Sequence, residues 1–338
     1  MKKYSFYITM LLLFTSCEAI LLEEEVNTTD PFVNFEYLWK ECDEKYSYFT
    51  IKNVDWDAIK VEYEAKLYEG MSQDSLFNVF EAMLNELKDN HGNLVSDVRT
   101  SFYGTQYLAQ DNFDWRVIVD NYITPQYQIT GPIRHNYIAD NQIAYVRLES
   151  FSNTLNDEHL DYILSKYQDT EAMIIDLRDN SGGKIEYSYK LLSRLITEET
   201  LVQYTRIKAG TAHDNFTSPE AIYISPYNGI TYTKKIAILI DGGSYSTTSL
   251  FALNTKAFSH IALVGDTTGG GLGMPAGGQL PNGWFYRFSV TQSLDLQQNP
   301  EFENGVPADI TATFDPTDFS RDEIIDTALS NGVNGLLD

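Results

Sequence analysis

Between residues 72 and 94 the chain reads SQDSLFNVFEAMLNELKDNHGNL. There Leu76, Phe77, Val79, Phe80, Met83, Leu84 and Leu87 recur at the three-and-four spacing of one helical face. Ser72 or Asp74 is available as the cap and Gly92 lies near the stop, so the pattern predicts a helix that delivers His91 at its exit. FEYLWKECDEKYSYF and DWDAIKVEYEAKLYEGM, upstream, are similarly amphipathic, and the three segments together suggest a small helical bundle over residues 32–95. From residue 95 to 142 the chain is rich in aromatics and turns and shows no clean period.

The pattern then changes. Apolar runs QIAYVRLESF, AMIIDLR, KKIAILID and HIALVGD alternate with amphipathic stretches NDEHLDYILSKYQ, IEYSYKLLSRLI and STTSLFALNTKAF. Continuous apolar strands between amphipathic helices predict an α/β fold with a sheet buried on both faces, here assigned to residues 96–338. In such sheets ligands and catalytic groups collect at the carboxyl ends of the strands.

The first 17 residues, MKKYSFYITMLLLFTSC, have a basic start, a short apolar run and small polar residues before Cys17. They read as a lipoprotein signal peptide with Cys17 as the acylated residue, because the apolar run is too short to span a bilayer. Residues 18–31 then form an acidic tether, and the protein is expected to be exported and held at a membrane by its N-terminal lipid. With Cys17 acylated, Cys42 has no intrachain partner, so the fold is expected to hold without a disulfide. Acidic residues outnumber basic ones 48 to 24, for a net charge of -24, which disfavours nucleic acid and anionic lipid surfaces as partners. Neither a metal-ligating cluster nor a nucleotide-binding loop is legible, and no cofactor is expected.

Two strand-end loops carry candidate chemistry. In IDLRDNSGG, Ser181, Gly182 and Gly183 precede a helix, so their N–H groups can face an anion; a plain glycine turn has the same composition. Asp176 and Arg178 read as an internal ion pair or loop brace. In DGGSYSTTS a serine on a sharp turn would expose its hydroxyl beside free N–H groups, although a serine there is most often a helix cap.

Taken together, LKDNHGNL, YVRLESF, IIDLRDNSGG, ILIDGGSYSTTS, LVGDTTGG and ENGVPADI resemble, in order and spacing, the C-terminal processing (tail-specific) and tricorn-core family of serine peptidases. The resemblance spans roughly residues 35–328 and implies a crotonase-like α/β core with an N-terminal helical cap, acting on peptide or protein substrates. It also implies that Ser246 is the nucleophile, with Ser244 as the competing assignment, and that the N–H groups of Thr247 and of Gly182 or Gly183 form the oxyanion hole. Gly271 stands where the Ser-Lys branch has its lysine, and no lysine follows Lys256. His91 instead matches the base of the tricorn-like branch. Asn90 holds the position of that branch's auxiliary serine, and Glu303, or else Glu301, is the candidate for the carboxylate that orients the base. Ser249 replaces a glutamate common three residues after the nucleophile. No PDZ module fits between His91 and the first α/β strand, which points to short or unstructured peptides. A non-catalytic module of the same fold, as in interphotoreceptor retinoid-binding protein, is the alternative, with an apolar or sugar ligand.

Overall fold

A computed structural model of the protein describes residues 28–104, 109–110, 112–123 and 126–333. Cys17, the expected acylation site, lies outside them, as does most of the expected tether.

The chain opens with helices α1 (Pro31–Lys45), α2 (Trp56–Glu64) and α3 (Gln73–Asn85), capped by the side chains of Asp30, Asp55 and Ser72 respectively. Strand β1 (Asn93–Val95) follows, then the short helix α4 (Trp115–Ile118) with a wider turn over Val119–Ile123. Next come β2 (Gln128–Thr130), β3 (Ile133–Ile138), β4 (Ile143–Leu148), α5 (Asp157–Lys166), β5 (Ala172–Asp176), α6 (Ile185–Ser193), β6 (Thr200–Ile207) and β7 (Glu220–Ile224). The chain continues through β8 (Lys235–Ile240), α7 (Thr247–Thr255), β9 (Ile261–Gly265), β10 (Pro275–Gln279), β11 (Phe285–Ser289) and β12 (Thr291–Leu294). It ends with β13 (Ile310–Thr311) and α8 (Glu323–Thr327).

Seven strands form the main sheet in the order β13-β9-β8-β5-β4-β3-β2, parallel from β13 to β4 and antiparallel beyond. The central strands read as unbroken apolar runs because both faces are covered. On β5 and β8, Met173, Ile175, Ile236 and Ile238 pack toward α5, α6 and α7, whereas Ile174, Ala237 and Leu239 pack toward α4 and α8. Since β5 and β8 are adjacent and parallel, the loops that leave them, 177–184 and 241–246, emerge side by side.

Two three-stranded sheets complete the fold, β1-β11-β10 and β12-β6-β7. The former carries the N-terminal helices. Tyr286 and Phe288 of β11 are buried in one apolar cluster with Leu38 of α1, Trp56 of α2 and Phe80 of α3. Helices that shared no apolar contact with the rest would leave His91 unplaced; this cluster fixes it against the sheet.

Arg178 braces the loop after β5 from below. Its Nε and Nη2 donate to the two oxygens of Asp176 at 3.0 and 2.7 Å, and Nη1 donates to Asp322 at 2.8 Å. Both side chains of the Asp176–Arg178 pair are fully buried, and the arginine holds the Asp176 carboxyl well below the usual carboxylate range against the opposing effect of burial. The brace reading of these two residues is the one the structure bears out.

Candidate active site

Ser246 lies between the end of β8 and the start of α7 with φ 58° and ψ −121°, a backbone conformation that costs a non-glycine residue about 1–3 kcal/mol. The turn is held by its neighbours: Tyr245 N–H donates to Asn180 O at 3.0 Å and Ser246 N–H to Gly270 O at 2.9 Å. Its carbonyl starts the helix by accepting from Leu250 N–H at 2.9 Å, while its hydroxyl caps nothing. That hydroxyl points to His91, whose Nε2 is 2.9 Å from Ser246 Oγ across 155 positions of sequence. Ser244, the competing serine, is fully buried and donates to Leu177 O at 2.8 Å, which takes it out of the site. Ser249 is also buried and bonds Ser244 O.

His91 does not sit at a helix exit, as the periodicity suggests. Helix α3 ends at Asn85, and the chain turns at Lys88, whose φ is 53°. Asp89, buried and unremarked in the sequence, then sets the histidine: one carboxylate oxygen accepts His91 N–H at 2.8 Å and the other accepts Ser289 N–H at 2.9 Å. This ties the histidine-bearing turn to the end of β11. The other ring nitrogen, Nδ1, faces Ser289 Oγ at 3.5 Å, and the Gly273 backbone beside the ring favours its protonated form. With its hydrogen on Nδ1, the ring presents the Nε2 lone pair to Ser246. Burial lowers the His91 pKa below its ordinary value; Asp89 opposes this and the charges of Arg287 and Lys52 add to it.

Glu303 reaches the histidine indirectly. Its Oε2 accepts the N–H groups of Leu272 and Gly273 at 2.8 and 3.1 Å, and its Oε1 lies 3.4 Å from Lys52 Nζ. Any orienting effect of this carboxylate on the base therefore passes through the loop that carries Gly273. Burial pushes the Glu303 carboxyl up, and Lys52 pulls it back. Glu301 is exposed at the start of the same short turn. Asn90 lines the cleft, and the ring nitrogens of His91 face Ser246 Oγ and Ser289 Oγ.

Of the two glycines, Gly182 has its N–H donated to Asn180 Oδ1 at 3.0 Å, which corrects its expected role as an oxyanion donor. What Gly182 supplies is room: at φ 92°, an added Cβ would stand 2.7 Å from Tyr245 O and 2.9 Å from Thr247 N. Gly183 makes a parallel bridge with Phe151 in which Gly182 O and Lys184 N–H take the bonds. Its own N–H and C=O therefore point the other way, and the carbonyl accepts Thr247 Oγ1 at 2.7 Å. Gly183 and Thr247, the latter in the first turn of α7, line the cleft together with Ser246. Asn180 was not singled out by its sequence context, yet it welds the two loops, also bonding Leu148 O and Thr248 Oγ1. His91, Gly183, Ser246 and Thr247 line a cleft of about 420 Å³.

Comparison with known proteins gives the family and the fold. The profile of peptidase family S41 matches residues 142–312, half of the chain, and that of the tricorn protease C1 domain matches residues 29–85. The carboxy-terminal processing protease CtpA of Bacillus subtilis (strain 168) is 27% identical over 144 residues, 42% of this chain and 29% of that protein. A crystal structure of a provisionally assigned peptidase from Parabacteroides merdae is similar at 35% identity and a TM-score of 0.84, covering 92% of this chain and 98% of that one. Mature CPAF shares the fold at 13% identity, with a TM-score of 0.68 over 90% of this chain and 98% of its own. The chain belongs to peptidase family S41, and with it to the serine-type peptidases.

Proposed function

We propose that this protein hydrolyses peptide bonds with Ser246 as nucleophile and His91 as general base. The observation that carries the reading is the 2.9 Å contact between His91 Nε2 and Ser246 Oγ. As Oγ attacks the scissile carbonyl carbon, its proton passes to Nε2 and the carbonyl oxygen becomes an oxyanion. Gly183 N–H and Thr247 N–H stabilise that charge, each such donor contributing about 3–4 kcal/mol to lowering the barrier. The imidazolium then protonates the leaving amine, and water, deprotonated by the same nitrogen, releases the acyl group from Ser246. Asp89, Gly273 and Glu303 act by holding the ring.

In this reading residues 96–338 form the crotonase-like core and residues 32–95 a helical cap over it. The substrates are short or unstructured peptides, since the cleft is served by the core and the N-terminal helices. The enzyme works outside the cytoplasm on a membrane to which an acylated Cys17 ties it, as the basic start and short apolar run of the first 17 residues support. Hydrolysis of a peptide library that Ser246→Ala abolishes and Ser244→Ala retains is the test of the catalytic assignment.

A further inference from the structure

Among the described residues that line the cleft, Arg287 is the only one with a fixed charge. Its direction is set by β11. Tyr286 and Phe288 are buried under the helices, so Phe285, Arg287 and Ser289 occupy the opposite face. Ser289 stands beside the His91 ring, and Arg287 is two residues, about 7 Å, further along the strand. Its Nε donates to Asn93 Oδ1 at 2.6 Å, and Asn93, itself buried, donates to Ser101 O at 2.8 Å. A fixed amide therefore holds one edge of the guanidinium.

The other edge has no acidic partner among the described residues. This is informative in a chain where carboxylates outnumber cations two to one. Seven of the nine arginines pair with a carboxylate within 4 Å, and Arg206 bonds the Gln292 side chain. Arg287 is the one left over, and it faces the reaction centre closely enough for its charge to act on His91. The rest of the cleft wall near it is neutral, with Phe102, Met274 and Pro275.

We propose that Arg287 is a substrate-binding residue that pairs with a carboxylate of the peptide, which makes acidic peptides the preferred substrates of this cleft. The inference rests on the peptidase reading above. A guanidinium presents two parallel N–H donors that match a carboxylate, and the excess negative charge elsewhere on the chain repels the same group. An aspartate or glutamate side chain and a free C-terminus both supply this chemistry.

The test uses one defined peptide library made in paired forms, Glu against Gln at each position with amidated ends, and free-acid against amidated C-termini with neutral side chains. Digests by the full-length protein are followed by mass spectrometry. Wild-type enzyme is expected to cleave the acid member of one pair type about tenfold to a hundredfold faster, as a charge-assisted hydrogen-bonded pair allows. The pair type that responds identifies the source of the carboxylate. In Arg287→Gln the ratio within each pair is expected to fall to near one, and in Arg287→Lys to an intermediate value, since the charge remains and the fork is lost. Ratios near one in the wild type, or a preference that survives in Arg287→Gln, would overturn the inference while leaving the peptidase reading intact. Absence of all cleavage together with an unreactive Ser246 would overturn that reading and the inference with it.

Discussion

Glu303 holds Gly273 and makes no hydrogen bond to His91: its carboxylate accepts the Gly273 N–H at 3.1 Å, and the backbone of that same residue favours protonation of the imidazole. A role carried through a loop has a different mutational signature from a direct one. Glu303→Gln keeps an oxygen that can accept the Leu272 and Gly273 N–H groups, and it is expected to retain kcat/KM within about tenfold. Glu303→Ala removes the acceptor and leaves buried N–H groups and Lys52 without their partner. It is expected to cost about a hundredfold in kcat/KM and about 3–5 kcal/mol in stability. Equal losses in the two variants, measured by steady-state kinetics and chemical unfolding, would indicate that the negative charge acts on the ring directly.

The pH profile follows from the buried ring. Only neutral His91 accepts the serine proton, and burial favours the neutral form, so protonation takes place at a pH below the ordinary 6.5 of histidine. Activity is lost as pH falls through that folded-state pKa. The acid limb of kcat/KM should have its midpoint below about 6.5, with a flat rate between pH 7 and 8. Arg287→Gln removes a charge that disfavours imidazolium and should shift the midpoint upward. A wild-type midpoint at or above pH 7 would contradict the placement of the base.

A lysine base is disfavoured by space. Gly271, where the Ser-Lys branch has its lysine, has φ 72°, and an added Cβ would meet the Tyr245 ring at 2.2 Å. Gly271→Lys should therefore lower the melting temperature and abolish activity without creating a new base. Lys256, the nearest lysine after the serine, is bonded to Asp309 at the surface at 2.7 Å. Lys256→Ala should change stability by less than about 1 kcal/mol and leave the peptide hydrolysis rate within about twofold.

What the sequence reveals here depends on how local the determining physics is. The main sheet is legible in its central strands because burial on both faces leaves unbroken apolar runs such as AMII and IAILI, and the helices between them keep their period. Strands β10 and β11 are not, because glycines interrupt one and the other is half exposed, so neither shows a run. Ser246 and the glycine turn lie at strand ends, where motif spacing marks them. The groups that orient His91 are long-range contacts: Asp89 reaches Ser289 across 200 positions, and Gly273 contributes only backbone. Asn180 is likewise a single asparagine in a polar turn, and only the packed loops reveal that its amide bonds three segments. The helix period also overshoots at its end, since the turn at Lys88 and the Asp89 bond to His91 N–H are not periodic features.

The membrane attachment proposed through Cys17 is separable from the chemistry. Full-length protein should partition with membranes after export, and Cys17→Ala should release it while leaving peptide hydrolysis unchanged, because the described fold begins beyond that residue. Fractionation followed by activity measurement checks both parts. Partitioning that persists in Cys17→Ala would remove the lipoprotein reading.

The most direct measurement is the rate at which a fluorophosphonate probe labels wild-type protein, Ser246→Ala, Ser244→Ala, His91→Ala and the Ser246→Ala/His91→Ala double variant, with the adduct located by mass spectrometry. The expected result is an adduct on Ser246 in wild type and Ser244→Ala, none in either Ser246→Ala protein, and a rate lowered by about a thousandfold or more in His91→Ala, since serine and base act as a unit. An adduct on Ser244, or labelling of Ser246 at an undiminished rate in His91→Ala, would contradict the assignment of nucleophile and base.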